Sequence, residues 1–334
     1  MLYYKDLEET VLTRHKNESF DDFLVISGYI GSEPIRKLAE FPDHIHTKVV
    51  YGMYAHDSIK EPLHNAILDL QEKLPNVDIF YSTIPVHSKL YIWREQEEIK
   101  NALVGSANFS VSGLCNNYKE VLADIDTATF NELELYYKHV LQACIPCTDH
   151  VVRKEEGLKK RLKRYETQPR VAEGICRASL LNRSGDVSAM SGLNWCLSNG
   201  HVAEGDAYIA ITKDYIREFP HLFPPKKYVN GLINPQSSGK ANRENDEVEL
   251  IWDDGTIMIG LLEGQQLDKE TGLNYPKQLA SAPQKSILGK YLRARLNVPL
   301  DHRITKRDLE RYGRTHIDIS LIGDGVYYMD FSIK

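Results

Sequence analysis

Cysteine is scarce in this chain: five in 334 residues, at positions 115, 144, 147, 176 and 196. An odd, scattered set is no disulfide framework. Cys144 and Cys147 form one C-x-x-C, but no second pair stands at zinc-finger spacing. Reduced thiols in a cytoplasmic protein, with no metal site, are the expectation. Long hydrophobic runs are missing too. A membrane-spanning helix needs about 18 or more consecutive apolar residues, and no stretch offers them, so no membrane partner is expected. The start, MLYYKDLEETVL, carries acids where a secretory leader would carry bases and then an apolar stretch. A basic surplus is also absent: 41 Lys+Arg against 47 Asp+Glu leave a formal net charge of -6. As a whole-chain figure, that argues against a partner as anionic as DNA. No internal repeat or low-complexity tract occurs. What remains is 42% hydrophobic and 26% charged residues, an ordinary globular mix at a length that suits two domains.

The charge is unevenly placed. Residues 1–150 hold 13 Lys+Arg and 23 Asp+Glu, whereas 151–334 hold 28 and 24. The change begins with VVRKEEGLKKRLKRYETQPR at 151–170, which has eight bases against three acids. Such a run is a solvated helix or linker, or a basic connector beside a phosphate backbone. Pro169 would stop a helix there. The boundary between domains is therefore expected between 150 and 175: one domain over 1–150, a basic linker over 151–174, a second domain over 175–334.

The first domain alternates strands and helices. FLVISGYIG (23–31), TKVVYGMY (47–54), VDIFYS (77–82), HSKLYIWR (87–94), NALVGS (101–106) and EVLADI (120–125) read as strands. PIRKLAEF (34–41) reads as a helix with Pro at its first position, and helical periods cover 60–73 and 127–143. Strand–helix repetition followed by consecutive strands predicts an α/β domain with a mixed sheet. The second domain reads as mostly β. Hairpins are expected over 248–264, turning at Asp254-Gly255, and 317–331, turning at Gly323-Asp324-Gly325. AYIAIT (207–212) is a further strand. A helix over 286–296 shows a basic face of Lys290, Arg293 and Arg295. Thr305 caps a second helix, with Asp308 at its third position and Gly313 past its end. Two helices on many short strands suggest a small barrel or pseudobarrel.

His87-Ser88-Lys89 carries the chemistry. Period-two alternation turns His87 and Lys89 to one face, placing a nucleophile or general acid beside a phosphate-binding cation. Composition alone gives about one H-x-K in a chain like this. A second, His46-Thr47-Lys48, is read as the chance member. The sequel separates them. Only His87 is followed by Gly105-Ser106-Ala107-Asn108, where glycine admits close backbone approach and the Ser106 hydroxyl and Asn108 amide can donate to a phosphoryl oxygen. Glu120 then opens the next strand, where a carboxylate can accept from one imidazole nitrogen and fix which one is nucleophilic. In the second domain, RSGDVSAMSGLNW (183–195) offers Arg183, Ser188, Ser191 and Asn194 for base edges or phosphates. The stretch at 264–285 offers Gln265, Gln266, Asn274, Tyr275, Lys277, Gln278 and Lys285.

H-x-K, then G-S-x-N, then Glu on successive strands of an α/β domain resembles the phospholipase D superfamily. The resemblance implies that histidine attacks a phosphodiester and forms a phosphohistidine, that a second histidine protonates the leaving oxygen, that lysine and asparagine hold the phosphate, and that no metal or other cofactor is used. Two departures stand out. Arg94 occupies the place, five residues after the lysine, where the superfamily usually has Asp, and the spacing from Lys89 to Gly105 is longer than usual. A single motif where two histidines are required implies a symmetric homodimer with its active site across the twofold axis.

With KSILGKYLRARLNV (285–298) and LERYGRTHIDI (309–319), the second half resembles the C-terminal domain of the NgoFVII-type restriction endonucleases. In that family a phospholipase D-like domain precedes a plant B3-like DNA-binding pseudobarrel. The resemblance spans essentially the whole chain. It implies a type II restriction endonuclease that cleaves double-stranded DNA without a metal ion. Residues 1–150 would be the catalytic and dimerisation domain, and 175–334 the B3-like reader, whose two polar stretches are arms in the major groove. A cognate DNA methyltransferase would be its functional partner. Two other readings carry less: a DNA-binding regulator with a non-catalytic phospholipase D-like dimerisation domain, and hydrolysis of lipid or another phosphodiester.

Overall fold

The apolar run Phe23–Ile26 has no polar face to show to water, so it must be a strand covered on both sides. The computed structural model places it so. The described residues are 1–16, 19–150, 174–200, 202–225, 245–269 and 271–333, and the chain divides into two units, Met1–Glu173 and Gly174–Lys334. Residues 151–173, nearly all of the expected basic linker, lie outside the described residues.

The first unit holds one mixed sheet of eight strands: β1 (Leu2–Tyr3), β2 (Asp22–Ser27), β3 (His46–Tyr51), β4 (Val77–Ser82), β5 (Leu90–Glu95), β6 (Glu98–Gly105), β7 (Leu122–Asp124) and β8 (Cys144–Pro146). Their spatial order is β1-β7-β6-β5-β2-β3-β4-β8. β2, β3 and β4 are parallel, while β5, β6 and β7 follow antiparallel. Parallel neighbours need a crossover. Helix Glu61–Lys73 supplies the one between β3 and β4, burying Leu63, Ile67 and Leu70 along one stripe. Helix Phe130–Gln142 buries Leu133, Tyr137 and Val140 against Leu24, Ile26, Leu90 and Ile92. On the other face Phe23 stacks on Trp93 at 5.1 Å. Each such buried side chain contributes about 1.5–3 kcal/mol.

This topology gathers four strand ends at one edge. Ile26 pairs with Leu90 and Leu90 with Val104, so the end of β2, the start of β5 and the end of β6 lie together, beside the end of β3. Loops at the carboxyl ends of parallel strands are the usual place for a site in an open α/β sheet.

Some boundaries differ from the sequence reading. The early helix begins at Ser32, so Pro34 is its third residue; first-turn N–H groups lack partners anyway, and proline is tolerated there. The strand after His87 begins only at Leu90, although Gly105 N–H still reaches the Lys89 carbonyl at 3.2 Å. Glu120 precedes β7 rather than opening it.

The second unit has a nearly closed, barrel-like sheet. Its strands are β9 (Cys176–Ser179), β10 (Ile209–Ala210), β11 (Asp246–Trp252), β12 (Ile257–Glu263), β15 (Gln278–Ser281), β16 (His316–Gly323) and β17 (Val326–Asp330); the short pair β13 (Gln266–Leu267) and β14 (Asn274–Tyr275) stands apart. The order is β10-β15-β12-β11-β17-β16-β9, and β11–β17 is its one parallel pairing among the described strands. Both expected hairpins are present. The capping box of Thr305 and Asp308 starts helix Lys306–Tyr312, and Gly313, at φ 101°, ends it. The strand expected over 207–212 shrinks to Ile209–Ala210. The basic face of helix Ser286–Leu296 is a correction. Arg293 is fully buried and donates to the Leu193 carbonyl at 3.1 Å, while Arg295 pairs with Asp253 at 2.8 Å and Asp254 at 3.1 Å. Only Lys290 of the three is exposed.

Candidate nuclease site and DNA-binding unit

At the shared strand edge, the chain turns out of β2 through Ser27-Gly28-Tyr29. Gly28 is the hub. A Cβ there would lie 2.9 Å from His87 Cδ2, 3.1 Å from Lys89 Nζ and 3.4 Å from Asn108 Oδ1. His87, Lys89 and Asn108 thus converge on one point, and any larger side chain would push into them. His46-Thr47-Lys48, by contrast, opens β3 opposite Asp22, at the other end of the sheet.

Lys89 is 5% exposed. Its Nζ donates to the His87 carbonyl at 2.7 Å and lies 3.1 Å from His87 Nε2. An ammonium can only donate, so Nε2 is then the lone-pair nitrogen and Nδ1 carries the hydrogen. The imidazole also meets the Tyr29 ring nearly edge-on, at 6.1 Å between centroids. Tyr29 is held at its far end, where its hydroxyl donates to Asp57 Oδ2 at 2.6 Å.

Asn108 is oriented from β2. Its Oδ1 accepts from the Tyr29 backbone N–H at 3.2 Å and lies 3.4 Å from the Ser27 hydroxyl. Ser27 Oγ accepts in turn from Phe109 N–H at 2.9 Å. With its oxygen committed, the amide keeps its N–H₂ end on the opposite side. Tyr91 secures the same turn by donating to the Ala107 carbonyl at 2.8 Å. Burial, followed by the charge of Glu120, pushes its phenol well above the ordinary value, so it stays a neutral donor.

Ser106 and Glu120 sit differently. Ser106 is exposed, and its Oγ accepts from Val121 N–H at 3.1 Å, tying the end of β6 to the approach of β7. Glu120 is half-buried near Tyr91; among the described residues no hydrogen bond joins it to His87.

In the second unit, Arg183 is exposed on a turn held by Asn182, whose Oδ1 accepts from the Ser184 and Asp186 N–H groups. Ser188 and Ser191 are half-buried; Gln265 and Lys277 are exposed; Asn274 and Tyr275 are half-buried in β14. Asn194 is a correction. It has no exposed surface, donates to the Ser188 and Ile304 carbonyls at 2.9 and 2.8 Å, and accepts from Ile304 N–H at 2.8 Å. It braces the polar stretch from beneath and cannot reach a base. Gln266 likewise serves the fold, donating to the Ile211 and Pro276 carbonyls. Gln278 and Lys285 are both bound to Glu263.

The family model of the NgoFVII restriction endonuclease N-terminal PLD domain matches residues 5–154, and that of the NgoFVII C-terminal B3-like DNA-binding domain matches residues 173–323. The chain belongs to the NgoFVII restriction endonuclease family. No curated protein matches it in sequence. Among solved structures, NucT from Helicobacter pylori is 18% identical, covering 44% of this chain and 97% of its own, with a TM-score of 0.33. Nuc from Salmonella typhimurium, a phospholipase D family member, is 11% identical, covering 42% and 88%, with a TM-score of 0.29. A polyphosphate kinase from Porphyromonas gingivalis is 12% identical, covering 42% and 21%, at 0.30.

For this NgoFVII-family chain, the first unit is the phospholipase D-like nuclease domain and the second the B3-like DNA-binding domain. Arg94, at the position where phospholipase D-like motifs usually place Asp, lies within 3.3 Å of Glu134 and 3.7 Å of Asp22 and donates to the Glu97 carbonyl. It joins β5 to β2 and to helix Phe130–Gln142, with acids supplied by its neighbours. The sequence reading missed Ser27, Gly28 and Tyr29. Their one signal was a glycine directly after a fully buried strand. Cys144 and Cys147 are separately engaged, with the Val140 carbonyl and Gln71 Oε1, and burial pushes each thiol up to about 11. Among the described residues no helix is long and apolar enough to cross a membrane.

Proposed function

We propose that this protein is a type II restriction endonuclease acting as a homodimer in the cytoplasm, with His87 as its nucleophile and no metal ion in the chemistry. The observation that carries the reading is the convergence of His87, Lys89 and Asn108 on Gly28. His87 Nε2 attacks a backbone phosphorus, and the bond to the leaving deoxyribose oxygen breaks. His87 of the second copy, protonated, gives that oxygen its proton. It then acts as base, taking a proton from the water that cleaves the phosphorus–nitrogen bond. Lys89 shifts its donation from Nε2 to a phosphoryl oxygen, joined by the Asn108 amide and, from the rim, the Ser106 hydroxyl. Glu120 acts at longer range, as a negative charge beside the Tyr91-held turn. Two histidines in one site titrate as a coupled pair.

The B3-like unit reads the site through side chains of its two polar stretches, with Arg183, Ser188, Ser191, Gln265, Asn274, Tyr275 and Lys277 toward DNA. A methyltransferase of the same specificity protects the host.

The test is plasmid cleavage in excess EDTA, with an alkaline quench to preserve any acid-labile phosphoramidate. Full cleavage and a DNA adduct mapped to His87 are expected. Cleavage that needs magnesium and forms no adduct contradicts the mechanism.

A further inference from the structure

Gln278 and Lys285 leave a question: why are two polar side chains of one proposed DNA-reading stretch held by the same carboxylate? Glu263 ends β12, directly before that stretch, and is 7% exposed. Its Oε1 accepts from Gln278 Nε2 at 2.5 Å and from Lys285 Nζ at 2.5 Å. Gln278 is its cross-strand partner on β15, and Lys277 N–H donates to the Glu263 carbonyl at 2.8 Å. The link continues into the first polar stretch. Lys285 Nζ stands 4.4 Å above the Trp195 ring, and Trp195 meets Tyr208 at 5.7 Å between centroids. Through Lys285, one carboxylate is therefore linked to residues of both stretches.

We infer that Glu263 is a specificity-positioning residue: it fixes Lys285 and Gln278 in one arrangement and offsets the Lys285 charge until the correct base edges replace it. This rests on the reading of the second unit as the DNA reader. The physical reason is a balance of charge and order. A loose Lys285 would grip any phosphate, a contact that carries no sequence information. Held between a buried carboxylate and an aromatic face, the ammonium presents its donors in a limited set of directions. Gln278, its amide nitrogen committed to Glu263, is turned the same way in every molecule. Glu263 itself is too buried to reach a base, so its effect passes through these two side chains.

The consequence is unusual for a buried residue: removing it should strengthen one kind of binding. Glu263→Gln keeps the shape and removes the negative charge. Binding of the full-length protein to a random-sequence duplex should tighten, and the slope of log affinity against log salt should steepen by up to about one unit. Discrimination between a duplex carrying the site, mapped from wild-type cut ends, and a scrambled duplex should fall by about tenfold or more. Glu263→Asp keeps the charge but shortens the reach; it should lose discrimination with the wild-type salt slope. Thermal melting of each variant separates misfolding from misreading. A folded Glu263→Gln or Glu263→Asp protein with wild-type discrimination overturns the inference, as does a Glu263→Gln variant that weakens on both duplexes alike. If the wild type itself does not distinguish the two duplexes, the reader assignment fails instead, before Glu263 is at issue.

Discussion

In the nuclease unit, His87, Lys89 and Asn108 come from two separate parts of the chain and meet around Gly28. In the DNA-binding unit, polar side chains from two continuous stretches go several ways: Asn194 and Gln266 into the fold, Gln278 and Lys285 onto Glu263, Arg183, Gln265 and Lys277 outward. On the proposed function, the difference follows from the task. A reacting phosphate needs a few groups held at fixed distances, which rigid strand ends provide. A base-reading surface needs exposed groups on a braced frame, so many of its polar residues serve the brace.

Beyond His87 itself, the largest effect that would sharpen this contrast is expected at Lys89. Lys89→Met should lower kcat by about 10²–10³-fold, the usual cost of losing one charge-stabilising donor, with little change in DNA affinity. An equal loss of affinity in a binding assay would place Lys89 in binding rather than catalysis. Gly28→Ala comes next. Its methyl would lie 2.9 Å from the His87 ring and 3.1 Å from Lys89 Nζ, so single-turnover cleavage should slow by about 10–100-fold in a protein that still melts normally. Wild-type cleavage by Gly28→Ala would show that the cluster is not tight. In the other unit, Asn194→Ala should cost about 3 kcal/mol of stability, because it strands buried partners on two segments; denaturant unfolding measures this. A stable variant with altered site preference would return Asn194 to the list of readers.

The smallest effect concerns pH. His64 Nδ1 bonds to the Tyr81 hydroxyl at 2.9 Å, and its ring lies 4.4 Å from that of His150. Burial, then the neighbouring His150, lowers the His64 pKa below 6.5. The folded state thus favours neutral His64. Its contribution is complete above the unfolded value and is lost as pH falls below about 6.5. Melting temperatures taken between pH 7.5 and 5 should fall less steeply for His64→Gln than for the wild type, by about a degree or two. Identical slopes would remove His64 from the acid response of the nuclease unit.

Much of this was legible in the sequence, for identifiable reasons. Period-two alternation predicts His87 and Lys89 on one side; both do lie beside Gly28, although ahead of β5 rather than within a strand, and the Gly105–Asn108 segment stood out by its residue types. The net charge of -6, which argued against DNA, hid an acidic first half and a basic second half. Gly28 was not legible as a hub, because its neighbours are far downstream and only sheet register brings them together. Asn194 and Gln266 were misjudged for the converse reason. A polar stretch looks the same in sequence whether its side chains meet water, DNA or an orphaned carbonyl. Arg293 shows this on a helix, where a basic residue between charged neighbours is fully buried.

The central claim is that cutting resides at His87 and reading resides elsewhere. The most direct measurement is His87→Ala, with plasmid cleavage and binding to the cognate duplex taken on one preparation. Cleavage should fall by about 10⁴-fold or more, as for loss of a covalent nucleophile, while affinity and site discrimination stay within about twofold of wild type. Residual cleavage near the wild-type rate, or binding lost together with cleavage, would contradict the account.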